Sequence, residues 1–381
     1  MEEKMNFELT KEQQLIQKAA REFAQKAIMP NLQKLESQDK IPDDILEGIA
    51  DLELFGMPFE EEYGGAGSGY DSYVLALEQI ARVSSGVALV ISVNILGLSA
   101  IKEFGTEEQK QRFMVPCCKG EQLASFAFTE AGTGSDPKQI VTTAVKEGNH
   151  YIINGTKRFI SNANYPGPMV VFARDDESNE VSAFIVDKLC EGYSLSEPWA
   201  KAGMHGSRLL DVYLENVKVP KENLLGSLGQ GFPVLLLGIA YGKVGVGASA
   251  LGGILAAYEE SINYAREKMH RDKSIAKFTS IQLKIADIVM KYEAARWLAY
   301  RIGHIANKGN ANELMKEVAI SKTFITETMV DVARIAMDIH GSYGLMKDYR
   351  ILQIYNDAII GPQIEGVNDV QKMIIAASVL R

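Results

Sequence analysis

The spacing of hydrophobic residues changes twice along this chain, from helical to strand-like and back to helical. In residues 12–27, apolar side chains recur every three or four positions, which is the period of an α-helix with one buried face. From about residue 122 to residue 225, short β-rich runs alternate with turn signals such as Asn154-Gly155. Helical periodicity returns at Gly231 and continues to the last residue.

This order predicts a multidomain α+β protein. We expect an N-terminal α-helical domain over residues 1–121, a central small β-barrel or sandwich over 122–230, and a C-terminal four-helix bundle over 231–381. The predicted strands of the central domain are 142–145, 150–153, 169–173, 181–186 and 209–214.

The C-terminal helices are predicted to be long and closely packed. In residues 311–339 the expected buried stripe contains Val318, Ile325 and Met329. The run Gly-Val-Gly-Ala-Ser-Ala at 245–250 lacks the third glycine and the preceding strand of a dinucleotide-binding loop, so a role for the glycines of this helix in packing is favoured. We expect them to be contact points between helices: Gly238, Gly242, Gly245 and Gly252.

The composition of the chain argues against some classes of binding partner. The chain has 40 Lys and Arg against 49 Asp and Glu, a formal net charge of -9, and nucleic acids or anionic membranes need a basic face. The apolar stretch 87–101 is interrupted by polar residues and is expected to fall short of a membrane span. Three cysteines, two of them adjacent, suggest no disulfide framework, so we expect a cytoplasmic protein.

Several common catalytic sites are absent from the sequence. The five histidines are scattered, without HExxH or CxxC spacing, so no metal site is predicted. The chain also has no GxSxG motif and no phosphate-binding loop with a Walker lysine.

Four segments carry more specific information. They are Phe-Ala-Phe-Thr-Glu-Ala-Gly-Thr-Gly-Ser-Asp at 126–136, Phe-Ile-Ser-Asn at 159–162, His-Gly-Ser-Tyr-Gly at 340–344, and Ile-Glu-Gly-Val-Asn-Asp-Val-Gln at 364–371. Together with segments at 9–13, 63–65, 104–109 and 217–223, they resemble the acyl-CoA dehydrogenase family in sequence, order and total length.

The resemblance implies FAD held between the central and C-terminal domains. Such enzymes remove the α-proton of an acyl-CoA thioester while the β-hydrogen leaves as hydride to flavin N5. Glu365 stands at the position of the catalytic base, and its apolar neighbours would raise its pKa. The alternative interpretation is a solvated glutamate before a helix capped by Asn368. Some members carry the base on an earlier helix, where this chain has Gly242.

Further roles follow from the same resemblance. Phe128 and Thr129 would lie along the flavin, with Phe159 as an aromatic surface and Ser161 as a hydroxyl near N5. Core packing or a turn hydroxyl is the alternative for each. The full cofactor set also includes Phe126, Gly341, Ser342 and Val367, and the substrate set is Ser135, Tyr241, Lys243 and Gly366.

The chain departs from the family where the ADP half of FAD is gripped. An arginine, a phenylalanine and a glutamine are usual there, and this chain has Lys268, Arg271 and Asp338. Lysine lacks the planar fork of arginine, and an aspartate near phosphates is unfavourable unless it is neutralised. Arg271 could restore the missing positive charge, and a misaligned gap is the other explanation.

The leading hypothesis is an FAD-dependent acyl-CoA dehydrogenase that passes electrons to an electron-transfer flavoprotein. The same site could run in reverse as an enoyl-CoA reductase. A homotetramer is expected, with a heterotetramer of two homologous chains as an alternative. A further alternative is a catalytically silent binding subunit that has kept the fold.

Overall fold

A computed structural model describes residues 8–380 of the chain. The outermost residues of the first and last predicted domains, 1–7 and 381, lie outside this range. The first described helix begins with a capping box, in which Thr10 Oγ1 accepts the Gln13 N–H at 3.1 Å and Gln13 Oε1 accepts the Thr10 N–H at 3.0 Å. The N-terminal helices are α1 (Lys11–Phe23), α2 (Leu32–Gln38), α3 (Asp43–Asp51), α4 (Gly69–Ala81), α5 (Ser85–Phe104), α6 (Glu107–Gln109) and α7 (Val115–Cys118).

The central part is an eight-stranded sheet in the order β6-β7-β3-β2-β4-β5-β8, with β1 paired in parallel to β4. The strand predicted at 150–153 extends to Ile160, because β3 continues through a register shift at Gly155 and pairs with β7 over its length. The strands are β1 (Ser125–Ala127), β2 (Thr143–Glu147), β3 (His150–Ile160), β4 (Pro168–Asp175), β5 (Val181–Asp187), β6 (Tyr193–Leu195), β7 (Leu210–Pro220) and β8 (Leu224–Leu225).

The C-terminal part is helical again. A hairpin of two short strands, β9 (Met269–His270) and β10 (Lys273–Ser274), separates its first two helices. Helices α8, α9 and α10 pack on one another, and α11 and α12 pack against α10. The helices are α8 (Gly231–Glu267), α9 (Thr279–Asn307), α10 (Ala311–His340), α11 (Arg350–Ala358) and α12 (Asn368–Leu380). The predicted fold class of helical, β and helical regions is therefore confirmed.

In the part of the chain that the structure describes, two helices, α5 and α8, are long and apolar enough to cross a membrane by length and composition. Helix α5 has 20 residues and is longer than the apolar stretch recognised in the sequence. The most apolar windows of α5 and α8 are 78% and 83% buried inside the protein. Their apolar surface is thus used in the core.

Two hydrophobic cores organise the fold. The larger core joins residues of α4, α5, α8 and α10 to one face of the sheet, including Phe172 of β4 and Ile325 of α10. The smaller core lies on the other side of the sheet, around Ile153, Phe184 and Val212. Because the first and last helical regions share one core, the domain boundaries at residues 121 and 230 stay predictions.

The glycines of α8 allow neighbouring helices to approach closely. A Cβ at Gly252 would lie 2.4 Å from the Glu78 carbonyl oxygen of α4, and one at Gly245 would lie 2.1 Å from Ser92 Oγ of α5. By contrast, a Cβ at Gly247 would meet only Ile325 Cδ1, at an ordinary 3.7 Å. The predicted role of Gly245 and Gly252 as contact points agrees with these distances.

This contrast gives a test of helix packing. Gly252→Ala should lower the free energy of unfolding by about 1–3 kcal/mol, because its methyl group would overlap backbone atoms that cannot rotate away. Gly247→Ala is the matched control in the same helix and should be stabilising by about 0.5–1 kcal/mol. Urea denaturation of the two variants measures both effects, and equal midpoints would contradict the packing argument.

Candidate active site

The Glu365 loop runs from Pro362 to Asn368 and connects a 3₁₀ turn to α12. Glu365 and Gly366 both have left-handed backbone conformations, with φ of 52° and 84°. This conformation is easy for glycine but uncommon for a residue with a side chain, and it costs of the order of 1–3 kcal/mol when surrounding structure enforces it. The backbone of Glu365 is therefore held in place by its contacts.

The carboxyl group of Glu365 reaches over a glycine of α8. A Cβ built at Gly242 would lie 3.0 Å from Glu365 Oε2 and 2.3 Å from Leu96 Cδ1. A side chain at 242 would collide with Leu96 of α5 and crowd the carboxyl group. Glu365 Oε2 thus lies directly against the backbone of α8 at Gly242.

Burial dominates the electrostatics of Glu365. The residue keeps some exposed surface, but its carboxyl group lies deep among protein atoms. This burial raises the pKa of Glu365 to about 7, against the opposing effect of Lys243 and Lys322. The interpretation as a solvated glutamate does not fit this environment. Asn368 does not cap α12 either, because its side chain bonds to Lys322 and Thr326 of α10.

Two buried lysines accompany the carboxylate. Lys243 follows Gly242 on α8 and is 8% exposed, and burial lowers its pKa to about 8 although Glu365 opposes the shift. Lys322 of α10 is fully buried, and burial together with the charge of Lys243 lowers its pKa to about 7. The Glu365 carboxyl group therefore lies in a small cluster of groups whose pKa values are shifted toward neutrality.

Aromatic residues of α4 and α8 lie beside this cluster. The ring of Tyr241 stacks on Tyr70 at a centroid distance of 5.1 Å, and its hydroxyl donates to Glu103 Oε1 at 3.3 Å. Tyr73 packs edge-on against Tyr70 at 6.1 Å, and burial, with a smaller contribution from Glu365, raises the pKa of its hydroxyl. Tyr241 is almost completely buried, so it can contribute to a pocket wall but presents no open surface.

The two segments predicted to face a flavin are joined directly. The Arg158 N–H donates to the Thr129 carbonyl at 2.8 Å. Phe159 has a φ of 61° and is 49% exposed, with its ring 5.6 Å from Trp199. Ser161 is half-buried one residue beyond the buried Ile160. Exposure of a large aromatic ring in a strained conformation indicates a binding surface and does not fit core packing.

Phe126 and Phe128 have a more structural environment. The Phe126 ring lies 5.0 Å from Phe172 and 6.4 Å from Phe128, and it closes over Gly238 of α8. Both phenylalanines are partly buried against the larger core. They fix the end of β1, from which Thr129 continues.

A buried ion pair supports the same two segments. Lys157 Nζ donates to Glu130 Oε1 at 2.7 Å, and the carboxylate also accepts the Val141 and Thr142 N–H groups and the Thr142 hydroxyl. Glu130 follows Thr129, and Lys157 precedes Arg158. The pair therefore holds the Thr129 segment against the Phe159 segment.

A separate groove of about 510 Å³ contains some of the residues predicted for the ADP half of FAD. Lys268, Gly341 and Ser342 line it together with aromatic side chains, and Lys268 Nζ lies 4.2 Å from the centre of the Tyr343 ring. Arg271 sits instead at the exposed turn of the β9–β10 hairpin, with a φ of 46°.

The remaining predicted residues are spread around these features. Asp338 Oδ2 pairs with Lys284 Nζ at 3.1 Å, which neutralises the aspartate that was expected to disfavour phosphates. Ser135 is exposed on the loop after Thr129, and Val367 follows Gly366 in the Glu365 loop. Within residues 8–380, no group of three or more His, Cys, Asp or Glu side chains could hold a metal ion.

Models of known protein families match most of the chain. Three family models match: the N-terminal domain of acyl-CoA dehydrogenases at residues 10–121, the middle domain at 125–217 and the C-terminal domain at 229–380. The chain belongs to the acyl-CoA dehydrogenase family. It is thus an oxidoreductase, and the resemblance found in the sequence is confirmed.

Individual relatives match over nearly the whole chain. A subunit of the caffeyl-CoA reductase-Etf complex of Acetobacterium woodii is 36% identical, over 98% of this chain and 99% of its own. The structure of butyryl-CoA dehydrogenase from Megasphaera elsdenii has a TM-score of 0.95 and 33% identity, over 99% of this chain and all of that one. An acyl-CoA dehydrogenase complexed with FAD from Bacillus anthracis has a TM-score of 0.93 and 31% identity, over 98% of this chain and 67% of that one.

Two residues beside Glu365, Lys322 and Tyr73, were not among the residues predicted for the site. Lys322 left a recognisable signal, because it lies four residues after Val318 and three before Ile325 on the predicted buried stripe of α10. A lysine on such a stripe must find polar partners or lose its charge. Tyr73 left no such signal, since an aromatic residue is expected in a buried helix.

The Glu130–Lys157 pair gives a stability prediction. Lys157→Met should cost about 3–5 kcal/mol of unfolding free energy, because it leaves the Glu130 carboxylate buried without its cation. The double variant Glu130→Gln/Lys157→Met removes both charges and should recover part of this loss. Urea denaturation measures both, and a double variant less stable than Lys157→Met would contradict this assignment.

Proposed function

We propose that this chain is an FAD-dependent acyl-CoA dehydrogenase in which Glu365 removes the α-proton of an acyl-CoA thioester. The observation that carries this proposal is the enclosed Glu365 carboxyl group above Gly242, with a pKa raised to about 7. A general base works best when its pKa lies near the working pH, and a buried carboxylate meets that requirement where a solvated one does not.

The family binds FAD, and the residues of this chain fit that cofactor. Phe159 offers an exposed aromatic face, and the neighbouring Thr129 segment is hydrogen-bonded to Arg158, the residue before Phe159. Phe128, Thr129, Phe159 and Ser161 would hold the isoalloxazine ring, and Lys268, Gly341 and Ser342 would border the ADP half. FAD, when bound, supplies the acceptor for the β-hydrogen that leaves as hydride.

The protein itself supplies the proton chemistry. Glu365 takes the α-proton while the positive charges of Lys243 and Lys322 favour the ionised base. Leu96 and the buried tyrosines exclude water from the carboxyl group, which keeps its basicity high. Tyr241, Lys243, Gly366 and, at the outer loop, Ser135 are the proposed substrate contacts.

Enoyl-CoA reduction is a second candidate function. A carboxyl group with a pKa of about 7 is half protonated near neutral pH, so Glu365 could deliver a proton to the α-carbon as readily as it removes one. One relative is named as a reductase subunit and another as a dehydrogenase. Anaerobic assays with saturated and with α,β-unsaturated acyl-CoA esters would assign the net direction.

We infer an electron-transfer flavoprotein as the redox partner, supported by the relative that is named as part of an Etf complex.

A homotetramer is the assembly we propose, because a single chain leaves large apolar side chains of α9 exposed, including Leu283 and Met290 at 63% each. A heterotetramer remains the alternative, and light scattering of the purified chain would separate the two. The free thiols Cys117 and Cys118 agree with the proposed cytoplasmic location.

The base assignment predicts a specific loss of activity. Glu365→Gln should keep bound flavin but lower the rate of substrate-dependent flavin bleaching by about 10²–10⁴-fold, because the amide cannot accept the proton. Stopped-flow absorbance with a panel of acyl-CoA esters measures the rate. Asp369→Asn, which removes an exposed carboxylate four residues further on, is the matched control and should bleach normally. Near-normal bleaching by Glu365→Gln would refute the assignment.

The raised pKa predicts the pH dependence of dehydrogenation. A carboxyl group with a pKa of about 7 is protonated, and inactive as a base, at lower pH and becomes ionised as the pH rises. kcat/KM should therefore rise through about pH 7 and level off above it. A profile that is already flat down to pH 5 would show that Glu365 titrates like an exposed glutamate.

A further inference from the structure

The Glu365 loop is attached to α10 by one buried ammonium group. Lys322 Nζ donates to the Pro362 carbonyl at 3.3 Å, to the Gly366 carbonyl at 2.9 Å and to Asn368 Oδ1 at 2.8 Å. These three acceptors lie on both sides of Glu365 in the sequence. A single side chain therefore spans the loop that presents the base.

Neighbouring hydrogen bonds strengthen this attachment. Asn368 Nδ2 donates to Thr326 Oγ1 at 3.1 Å, one helical turn after Lys322. Gln371 Nε2 donates to the Gly366 carbonyl at 3.3 Å, so this oxygen accepts from both α10 and α12. The contacts oppose relaxation of the left-handed backbone at Glu365 and Gly366.

The charges around Glu365 come from several helices. Tyr73 faces it from α4, Lys243 from α8 and Lys322 from α10. Lys322 in turn faces Glu327 on its own helix, and Glu327 Oε1 pairs with Lys372 of α12. Of the two lysines nearest the base, Lys322 alone also holds the loop through direct hydrogen bonds.

We propose that Lys322 is a positioning residue for the proton transfer by Glu365. Its hydrogen bonds hold the Glu365 loop in the strained backbone conformation that brings the carboxylate over Gly242, and its positive charge favours the ionised form of the base. This inference rests on the proposed function, since it assumes that Glu365 exchanges a proton with an acyl thioester.

Three substitutions separate charge from hydrogen bonding. Lys322→Met removes both, Lys322→Gln keeps donors without charge, and Lys322→Arg keeps the charge. Loss of a nearby positive charge raises the pKa of a carboxylate, by about 1 unit or more. The rising limb of kcat/KM should therefore move to higher pH by about 1 unit in Lys322→Met and Lys322→Gln, and should stay at or below its original position in Lys322→Arg. The assay uses the acyl-CoA ester that bleaches the unaltered holoenzyme fastest.

The loop itself gives a second measurement. Hydrogen–deuterium exchange of the peptide covering residues 360–369 should be faster in Lys322→Met and in Thr326→Val, because each loses a contact to the loop. Thr326→Val removes no charge, so it should lower kcat without moving the pH limb. This variant keeps the positioning argument testable if Lys322→Met does not fold.

Lys188→Met is the matched control for burial of a lysine. Lys188 Nζ is also buried, and it donates to the Leu123 and Asn162 carbonyls and to Ser125 Oγ, away from the Glu365 loop. This variant should lose thermal stability. The rising limb of its kcat/KM pH profile and the hydrogen–deuterium exchange rate of residues 360–369 should be unchanged.

The outcomes distinguish this inference from the proposed function. The positioning role would be overturned if the rising limb of the kcat/KM pH profile did not shift in Lys322→Met. It would also be overturned if hydrogen–deuterium exchange of residues 360–369 were unchanged in that variant. Failure of every acyl-CoA ester to bleach the unaltered holoenzyme would overturn the proposed function instead. In that case the exchange measurement would still decide whether Lys322 holds the loop.

Discussion

The burial of one carboxyl group constrains the rest of this active site. Glu365 can lie over α8 only because position 242 is glycine, and its loop must adopt a left-handed backbone at two consecutive residues to bring it there. A buried carboxylate without positive neighbours would simply stay protonated. Lys243 and Lys322 oppose this effect, and their own burial lowers their pKa values to about 8 and about 7. The pKa of Glu365 thus depends on burial, which raises it, and on the two lysine charges, which lower it.

A buried ion pair also fixes the segments of the β region that are proposed to face the flavin. The Glu130–Lys157 pair and the Arg158–Thr129 hydrogen bond join the end of β1 to the end of β3, where Phe159 is exposed. Buried ion pairs contribute little net stability compared with apolar packing, but they specify one arrangement of the chain. In this family of oxidoreductases, such precision is useful where a flat cofactor must lie against a substrate.

Much of the fold could be predicted from hydrophobic periodicity. Helices and strands appeared where the pattern changed, and their lengths differed where pairing or packing extended them, as in β3 beyond residue 153. The candidate base could also be recognised from the sequence, because the residues around Glu365 resemble a family motif. Its pKa could only be guessed from neighbouring apolar residues, whereas the structure shows that helices α5, α8 and α10 surround it. Lys322 was overlooked, although a lysine on a buried stripe is a visible signal.

The amino-acid sequence by itself determined the order of helical and β regions, the family, and the identity of the candidate base. These properties depend on local periodicity and on short motifs, each of which is contiguous in the chain. Only the tertiary structure decided which charges surround Glu365 and that Asp338 pairs with Lys284. Those contacts join residues that are remote in sequence, and their energies depend on distance and burial, which no linear pattern records.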